Sequence, residues 1–337
     1  MYAIQVRGLR KSYGGVDAVG GVDLDVRRGE VFALLGPNGA GKTTTVEILE
    51  GHRPRDSGEV DVLGADPATA GRAWRARLGI VLQTANDAAE LTVRESVRHY
   101  AGHYPDPAPV DEVIEQVGLT AKAGARVKSL SGGQRRRLDV ALGVVGRPEL
   151  VFLDEPTTGF DPEARRQFWE LIRNLAAGGT TIVLTTHYLD EAEALADRVA
   201  VIAGGRIVAE GTPATLGGRS TAKATVSWLG PNGRETRLTD TPTALIRELT
   251  ENQDRAGDRE PVENRERHEH GEHPGTAERP ENRDHPGTGD RPENREHPEV
   301  RAHPDTREHT PIRELPELTV TRPSLEDTYL SLIGDPR

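Results

Sequence analysis

Apolar and polar positions alternate along residues 3–9 and 18–26, a period of two that predicts half-buried strands. Turn signals separate them, Tyr13-Gly14-Gly15 after the first and Arg28-Gly29 after the second. At residues 31–35 (VFALL) the alternation gives way to a continuous apolar run, the pattern of a strand buried on both faces. Similar runs recur at 78–82, 150–153 and 180–186. Between them the pattern predicts helices over 44–50, 69–78, 110–117, 135–145 and 163–175, with another after His187. In the 135–145 segment Leu138, Ala141, Leu142 and Val145 share one face. Thr92 and Glu95 form a T-x-x-E box that starts a further helix. Residues 57–64 read as a hairpin arm, and 199–210 as a hairpin across Gly204-Gly205. Strands alternating with helices predict an α/β protein, a parallel sheet with helices on both faces.

Chemistry enters where the first buried run ends. Residues 36–44 read GPNGAGKTT, matching G-x-x-x-x-G-K-[ST] with Gly36, Gly41, Lys42 and Thr43 in the fixed places. Strand, glycine-rich turn and helix follow in order. Backbone N–H groups can then curl around an anion with no Cβ in the way, and the helix N-terminus adds its positive end. The expected phosphate cradle is Gly36, Pro37, Asn38, Gly39, Ala40, Gly41, Lys42, Thr43 and Thr44. Lys42 would reach the β- and γ-phosphates, and the Thr43 hydroxyl would ligate Mg²⁺. The chain holds only five lysines and otherwise uses arginine, so a lysine here marks a need for a compact charge.

A second cradle-like stretch, Ser131-Gly132-Gly133, precedes the helix over 135–145. The run at 150–153 closes on Asp154-Glu155, two carboxylates at the C-terminal end of a buried strand, where open α/β sheets bind ligands. Asp154 is placed to hold Mg²⁺ through water, and Glu155 to polarise an attacking water. Taken singly, three other residues keep two readings. Gln83 is a polar strand terminus or a neutral amide against a metal-bound water. His187 is a polar strand end or a catalytic group. Tyr13 is a half-buried turn aromatic or a flat face for a base.

Composition bounds the rest. With 337 residues, two domains or one with appendages is expected, and no cysteine means no disulfide or thiolate chemistry. The N-terminal MYAIQVRGLR has no apolar h-region, so no secretory leader is expected. The apolar runs fall far short of the ~18 residues a bilayer requires, and a net charge of −11 argues against a nucleic-acid binder. Residues 251–310 carry 17 acidic and 10 basic side chains and no aromatic. They repeat every twelve residues across 261–308 (HPGTAERPENRD, HPGTGDRPENRE), with regular prolines that forbid long helices. This stretch is expected to be a disordered, mixed-charge insertion. Its histidines, including His268, His270 and His273, are read as part of a solvated linker rather than a metal site.

With Gly36 to Thr43, Leu130-Ser131-Gly132-Gly133-Gln134, Leu150 to Glu155 and His187 in order, residues 3–215 resemble the ATP-binding subunit of ABC transporters. The L-S-G-G-Q pentapeptide is the most specific element. The resemblance implies a P-loop NTPase fold: a RecA-like parallel sheet, an antiparallel β subdomain and an inserted helical subdomain at 84–146, all within 1–215. It implies a small C-terminal subdomain (216–250 plus 311–337) split by the 251–310 insertion. Carried over by position, Tyr13 stacks on the base, while Gln83 senses Mg²⁺ and water. Asp154 and Thr43 hold Mg²⁺, Glu155 is the catalytic glutamate and His187 the switch histidine. Asp161 belongs to the loop that crosses a dimer interface. Two subunits are expected to pair head to tail, each ATP lying between one chain's glycine loop and residues 131–134 of the other. The one departure is Phe160, where a smaller aliphatic residue is usual, and it puts nothing catalytic in doubt.

TTHYLDEAE at 185–193 and RPSLEDTYLSLIG at 322–334 resemble the ABC-2 type, including daunorubicin-resistance ATPases. The expected function is ATP hydrolysis powering export of a drug or lipid-like cargo. It would act through a separately encoded membrane permease, peripherally on the cytoplasmic face of the cell membrane. The permease contact is expected near 83–94. A ribosome- or DNA-associated ATPase without a transporter is the competing reading; a single cassette, no sustained heptad and net acidity disfavour it. An importer ATPase is closer, and only the tail and TTHYLDEAE speak for export.

Overall fold

The computed structural model describes residues 1–81, 90–230, 233–257 and 315–334. β1 (Tyr2–Tyr13) and β2 (Val16–Arg27) pair antiparallel, both longer than their alternating segments. β3 (Val31–Leu35) is buried at all five positions and leads through the glycine loop into α1 (Lys42–Leu49). β4 (Ser57–Val62) returns to the free edge of β1, making the three-stranded sheet β2-β1-β4.

The helix expected over 69–78 is a single turn, α2 (Arg72–Arg75). Only Trp74 of this turn is buried, its Nε1 donating to the Val62 carbonyl at 2.8 Å. Gly71 bounds the turn on one side and Leu78 enters β5 (Leu78–Val81) on the other, so there is no room for a longer helix. The helical insert contains α3 (Val93–Ala101), α4 (Val110–Gln116) and α5 (Gly132–Val144). Thr92 caps α3 with the expected box: its side chain accepts from Glu95 N, and Glu95 accepts from Thr92 N at 2.8 Å.

β6 (Leu150–Asp154) precedes α6 (Pro162–Ala177), which Asp161 caps and on which Phe168, Leu171, Ile172 and Leu175 form the buried stripe. Phe160 packs edge-on against Phe168 at 5.7 Å between centroids, so the larger residue at this position fills core. β7 (Thr181–Thr186), α7 (Leu189–Leu195), β8 (Arg198–Ala203) and β9 (Arg206–Gly211) follow. The main sheet runs β5-β6-β7-β3-β8-β9, parallel except for β9 at its edge. β3, β6 and β7 are neighbours or one strand apart, and their C-terminal ends open on the same rim.

The chain divides into two compact units, Met1–Thr225 with Val320–Arg337, and Val226–Thr319. The second contains most of β10 (Ala224–Gly230), with β11 (Gly233–Thr239) and α8 (Pro242–Gly257) around Val226, Trp228, Leu245 and Leu315. α8 continues through 257, past the point where the insertion was expected to begin; the prolines that would end a helix come only after it. β12 (Thr319–Thr321) completes the sheet β11-β10-β12. α9 (Leu325–Gly334), expected to close the C-terminal subdomain, belongs to the first unit instead. Leu325 and Tyr329 join Leu216 in the larger core, which outweighs sequence proximity. Residues 258–314 lie outside the described residues.

Candidate active site

The glycine loop is shaped by close backbone contacts. A Cβ on Gly36 would come within 2.4 Å of the Ile202 carbonyl oxygen, and one on Gly41 within 2.3 Å of that of Ala18. Gly41, the residue before α1, has φ of 102°, open to glycine at little cost. Asn38 and Gly39 are exposed, Pro37 is half-buried, and Ala40 is buried beneath the turn. No side chain caps α1, which leaves its first-turn N–H groups without a side-chain acceptor. Thr43 is exposed and Thr44 half-buried.

Lys42 is only 6% exposed. Its ammonium donates to the carbonyls of Gly36 at 2.7 Å and Pro37 at 3.2 Å, and lies 4.0 Å from Glu155 Oε1. Burial pulls its pKa below the usual lysine value, while the Glu155 and Asp154 carboxylates oppose that shift.

Asp154 ends β6 and accepts a hydrogen bond from Thr185 Oγ1 of the adjacent β7. Glu155 has φ of 43°, the left-handed region that a glutamate rarely enters. Its N–H donates to the Thr185 carbonyl at 3.1 Å and to Thr185 Oγ1 at 3.2 Å, so β7 holds the turn. Glu155 Oε1 then meets His187 Nδ1 at 3.1 Å. Lys42 at the start of α1 and Glu155 and His187 just past the ends of β6 and β7 thus form one continuous polar cluster. A base at Glu155, a cation at Lys42 and an imidazole at His187 can orient water against a phosphoryl group.

The other expected residues take different places. Tyr13 is 42% exposed, with Lys11 Nζ 5.5 Å and the Arg53 guanidinium 5.4 Å from its ring centroid. Asp161 is exposed and accepts from Glu163 N and Ala164 N as the α6 cap. Ser131 and Gln134 close a capping box on α5, Gln134 N donating to Ser131 Oγ at 3.3 Å and Ser131 N to Gln134 Oε1 at 3.1 Å. Among the described residues, no hydrogen bond or ion pair joins 131–134 to the glycine loop. Gln83 lies outside the described residues.

Two supporting residues were not read from the sequence. Thr185 was one letter of an apolar strand, and its partner Asp154 is 31 positions away. Arg136 sat in a run of three arginines, yet it alone is buried there, donating to the carbonyls of Asp154 at 2.8 Å and Pro156 at 3.1 Å. Burial lowers its pKa against the pull of Asp139, Asp154 and Glu191. No signal in the sequence separates it from Arg135 and Arg137.

The family model for ABC transporters matches residues 19–158. The chain is 45% identical over 215 residues to a daunorubicin resistance ATP-binding protein of Streptomyces coeruleorubidus, covering 62% of this chain and 68% of that protein. It is 40% identical over 253 residues to the Nod factor export ATP-binding protein I of Rhizobium johnstonii, covering 74% and 81%. Among solved structures, cbiO1 from Clostridium perfringens, part of an ABC transporter complex, matches with a TM-score of 0.58 and 30% identity over 63% of this chain and 89% of that one. A dimeric ATP-binding cassette bound to ADP and phosphate shares the fold, with a TM-score of 0.56 and 23% identity over 62% and 98%. A buried lysine, a glutamate and a histidine gathered at the strand ends, in a chain this similar to these relatives, place it among the ATP-binding subunits of ABC transporters, as an ATPase of the exporter type.

Proposed function

We propose that two copies of this chain bind two ATP molecules head to tail and use their hydrolysis to drive export of a drug or lipid-like cargo through a separately encoded membrane permease. The observation that carries the chemistry is the convergence of Lys42, at the start of α1, on Glu155 and His187 at the C-terminal ends of β6 and β7. Lys42 exchanges its loop carbonyls for β- and γ-phosphate oxygens, while Glu155 takes the proton of the attacking water and His187 orients Glu155 toward it. Tyr13 offers its exposed ring to the base. Thr43, exposed at the start of α1, and Asp154, held by Thr185, supply the hard oxygen donors that suit Mg²⁺, with Gln83 as a further candidate. Bound there, Mg²⁺ neutralises charge on the phosphates.

Head-to-tail pairing draws support from the glycines of α5. Gly132 has open space where a Cβ would stand, and Gly133 meets only the Ala164 Cβ at 3.5 Å. Neither has a positive φ. Within a helix interior a glycine costs roughly 0.5–1 kcal/mol relative to alanine, and among the described residues nothing around Gly132 or Gly133 calls for one. A surface approached by a second molecule gives the reason, as does the exposed Asp161 beyond it. No helix among the described residues is long and apolar enough to cross a membrane. Attachment to the cytoplasmic face through the permease fits that, and the relatives named for daunorubicin resistance and Nod factor export support the direction.

Glu155→Gln tests the reading. It should keep ATP bound while turnover falls ~10²–10⁴-fold, and light scattering should show a dimer once ATP is added. Parent-rate hydrolysis would remove Glu155 as the base, and a monomer saturated with ATP would remove the pairing.

A further inference from the structure

The turn that carries Glu155 is held against its own preference. Glu155 has φ of 43°, and Pro156 follows it. A residue before proline is pushed toward extended backbone, and a left-handed glutamate is costly even without that neighbour. Such a turn persists only where its surroundings over-determine it. One hold comes from β7, where the Glu155 N–H donates to the Thr185 carbonyl at 3.1 Å and to Thr185 Oγ1 at 3.2 Å. Within the turn, Thr158 N donates to the Glu155 carbonyl at 3.4 Å.

A second hold comes from α5. Arg136, 6% exposed, donates from Nη2 to the Asp154 carbonyl at 2.8 Å and from Nε to the Pro156 carbonyl at 3.1 Å. These carbonyls belong to the residues on either side of Glu155. The peptide unit between Asp154 and Glu155 is therefore gripped at both edges, its oxygen by Arg136 and its N–H by Thr185. A guanidinium suits that task because its donors form a rigid fork, whereas a lysine ammonium is a single point on a flexible stem. Burying the guanidinium carries a desolvation cost that an apolar side chain of similar length would avoid. The neighbouring arginines turn elsewhere: Arg135 donates to the Val127 carbonyl at 2.9 Å, and Arg137 bonds Gln167. α5 also begins behind Ser131, so the stretch proposed to face the second copy and the turn of Glu155 are joined through one side chain.

We propose that Arg136 is a positioning residue for ATP hydrolysis, its guanidinium clamping the Asp154 and Pro156 carbonyls so that Glu155 keeps the left-handed turn from which its carboxylate meets His187. This rests on the role given above to Glu155. Arg136→Met keeps the length of the stem but cannot donate. It should bind ATP within about twofold of the parent while kcat per bound nucleotide falls ~10–100-fold, the effect of a small misplacement. In a Glu155→Gln background the same change should lower the residual rate by less than about threefold, because Arg136 acts through Glu155. A full further loss in that background overturns the proposal. So does a lower Tm with parental kcat per bound nucleotide, the result of a purely structural role. Should Arg136→Met fail to fold, Arg136→Lys replaces it: the charge stays, the fork is lost, and kcat should still fall ~3–10-fold at unchanged affinity. A parental kcat there overturns the proposal. Glu155→Gln alone separates the two levels. If it turns over normally, the reading of the site is at fault. If it is inactive while Arg136→Met hydrolyses normally, only the role of Arg136 falls.

Discussion

Two helix N-termini in this chain carry glycines and hydroxyls, and they are built in opposite ways. α1 opens behind Gly41 with no side-chain cap, its loop drawn together by a buried lysine. α5 opens behind Ser131, whose hydroxyl and the Gln134 amide satisfy one another's backbone donors. At α1 the glycines are demanded from within, by carbonyls of Ala18 and Ile202 too close to admit a Cβ. At α5 nothing among the described residues demands them. A glycine-rich helix start is therefore not by itself a cradle; what counts is whether its N–H groups already have acceptors. The α1 loop is shaped by contacts inside the molecule; the α5 glycines are the ones for which the proposed pairing supplies a reason.

The comparison breaks first at Lys42. Lys42→Ala removes the one cation buried in the α1 loop and should weaken ATP binding ~10–100-fold, the worth of a charge-assisted hydrogen bond; titration with a fluorescent nucleotide measures it. An unchanged affinity would deny α1 its part in the contrast. Ser131→Ala tests the other terminus. Loss of the cap should cost about 1 kcal/mol of stability, visible by denaturant melting, and turnover should fall several-fold with ATP affinity of the single chain unchanged. A parallel loss of affinity would make α5 part of the same one-chain site as α1 and erase the distinction.

An effect that depends on pH lies at the other end of α1. Where α5 ends on the apolar Val145, α1 ends on Glu50, 4% exposed, with His52 Nδ1 at 3.2 Å. Burial, then the nearby Asp154 and Glu47 charges, push the Glu50 carboxyl up to about 8. The unfolded chain gives up this proton near the ordinary value of 4.5, the folded chain only near 8. Between those values the folded state holds more protons, so stability falls as pH rises, by at most about 1.4 kcal/mol per pH unit. Glu50→Gln, neutral throughout, should change Tm little at pH 5 and raise it by roughly ten degrees at pH 8.5. A constant difference across that range would show that Glu50 ionises as freely folded as unfolded.

Much of the site was legible because its parts are local. The strand–loop–helix at 31–49, the carboxylates closing β6 and the Thr92 box are each set by residues a few positions apart. Where the reading slipped, a distant partner decided. α2 shrank to one turn because Trp74 reached the Val62 carbonyl and Leu78 was already needed in the sheet. α9 left the C-terminal unit because Leu325 and Tyr329 found more apolar surface beside Leu216, over a hundred residues earlier. Arg136 could not be told from its arginine neighbours, since only burial against Asp154 and Pro156 sets it apart.

From its sequence alone, this chain had already determined a strand–glycine loop–helix, an acid pair closing a buried strand, a capped glycine-bearing helix and the order in which they come. These depend on backbone freedom and periodicity, properties a short stretch carries within itself. Only the tertiary structure decided that Lys42 and His187 both approach Glu155, that Thr185 holds Asp154, and that Arg136 is buried against the Asp154 carbonyl. Those facts come from strands β3, β6 and β7 lying side by side although far apart along the chain, and burial and strand pairing between distant segments leave no periodic trace to read.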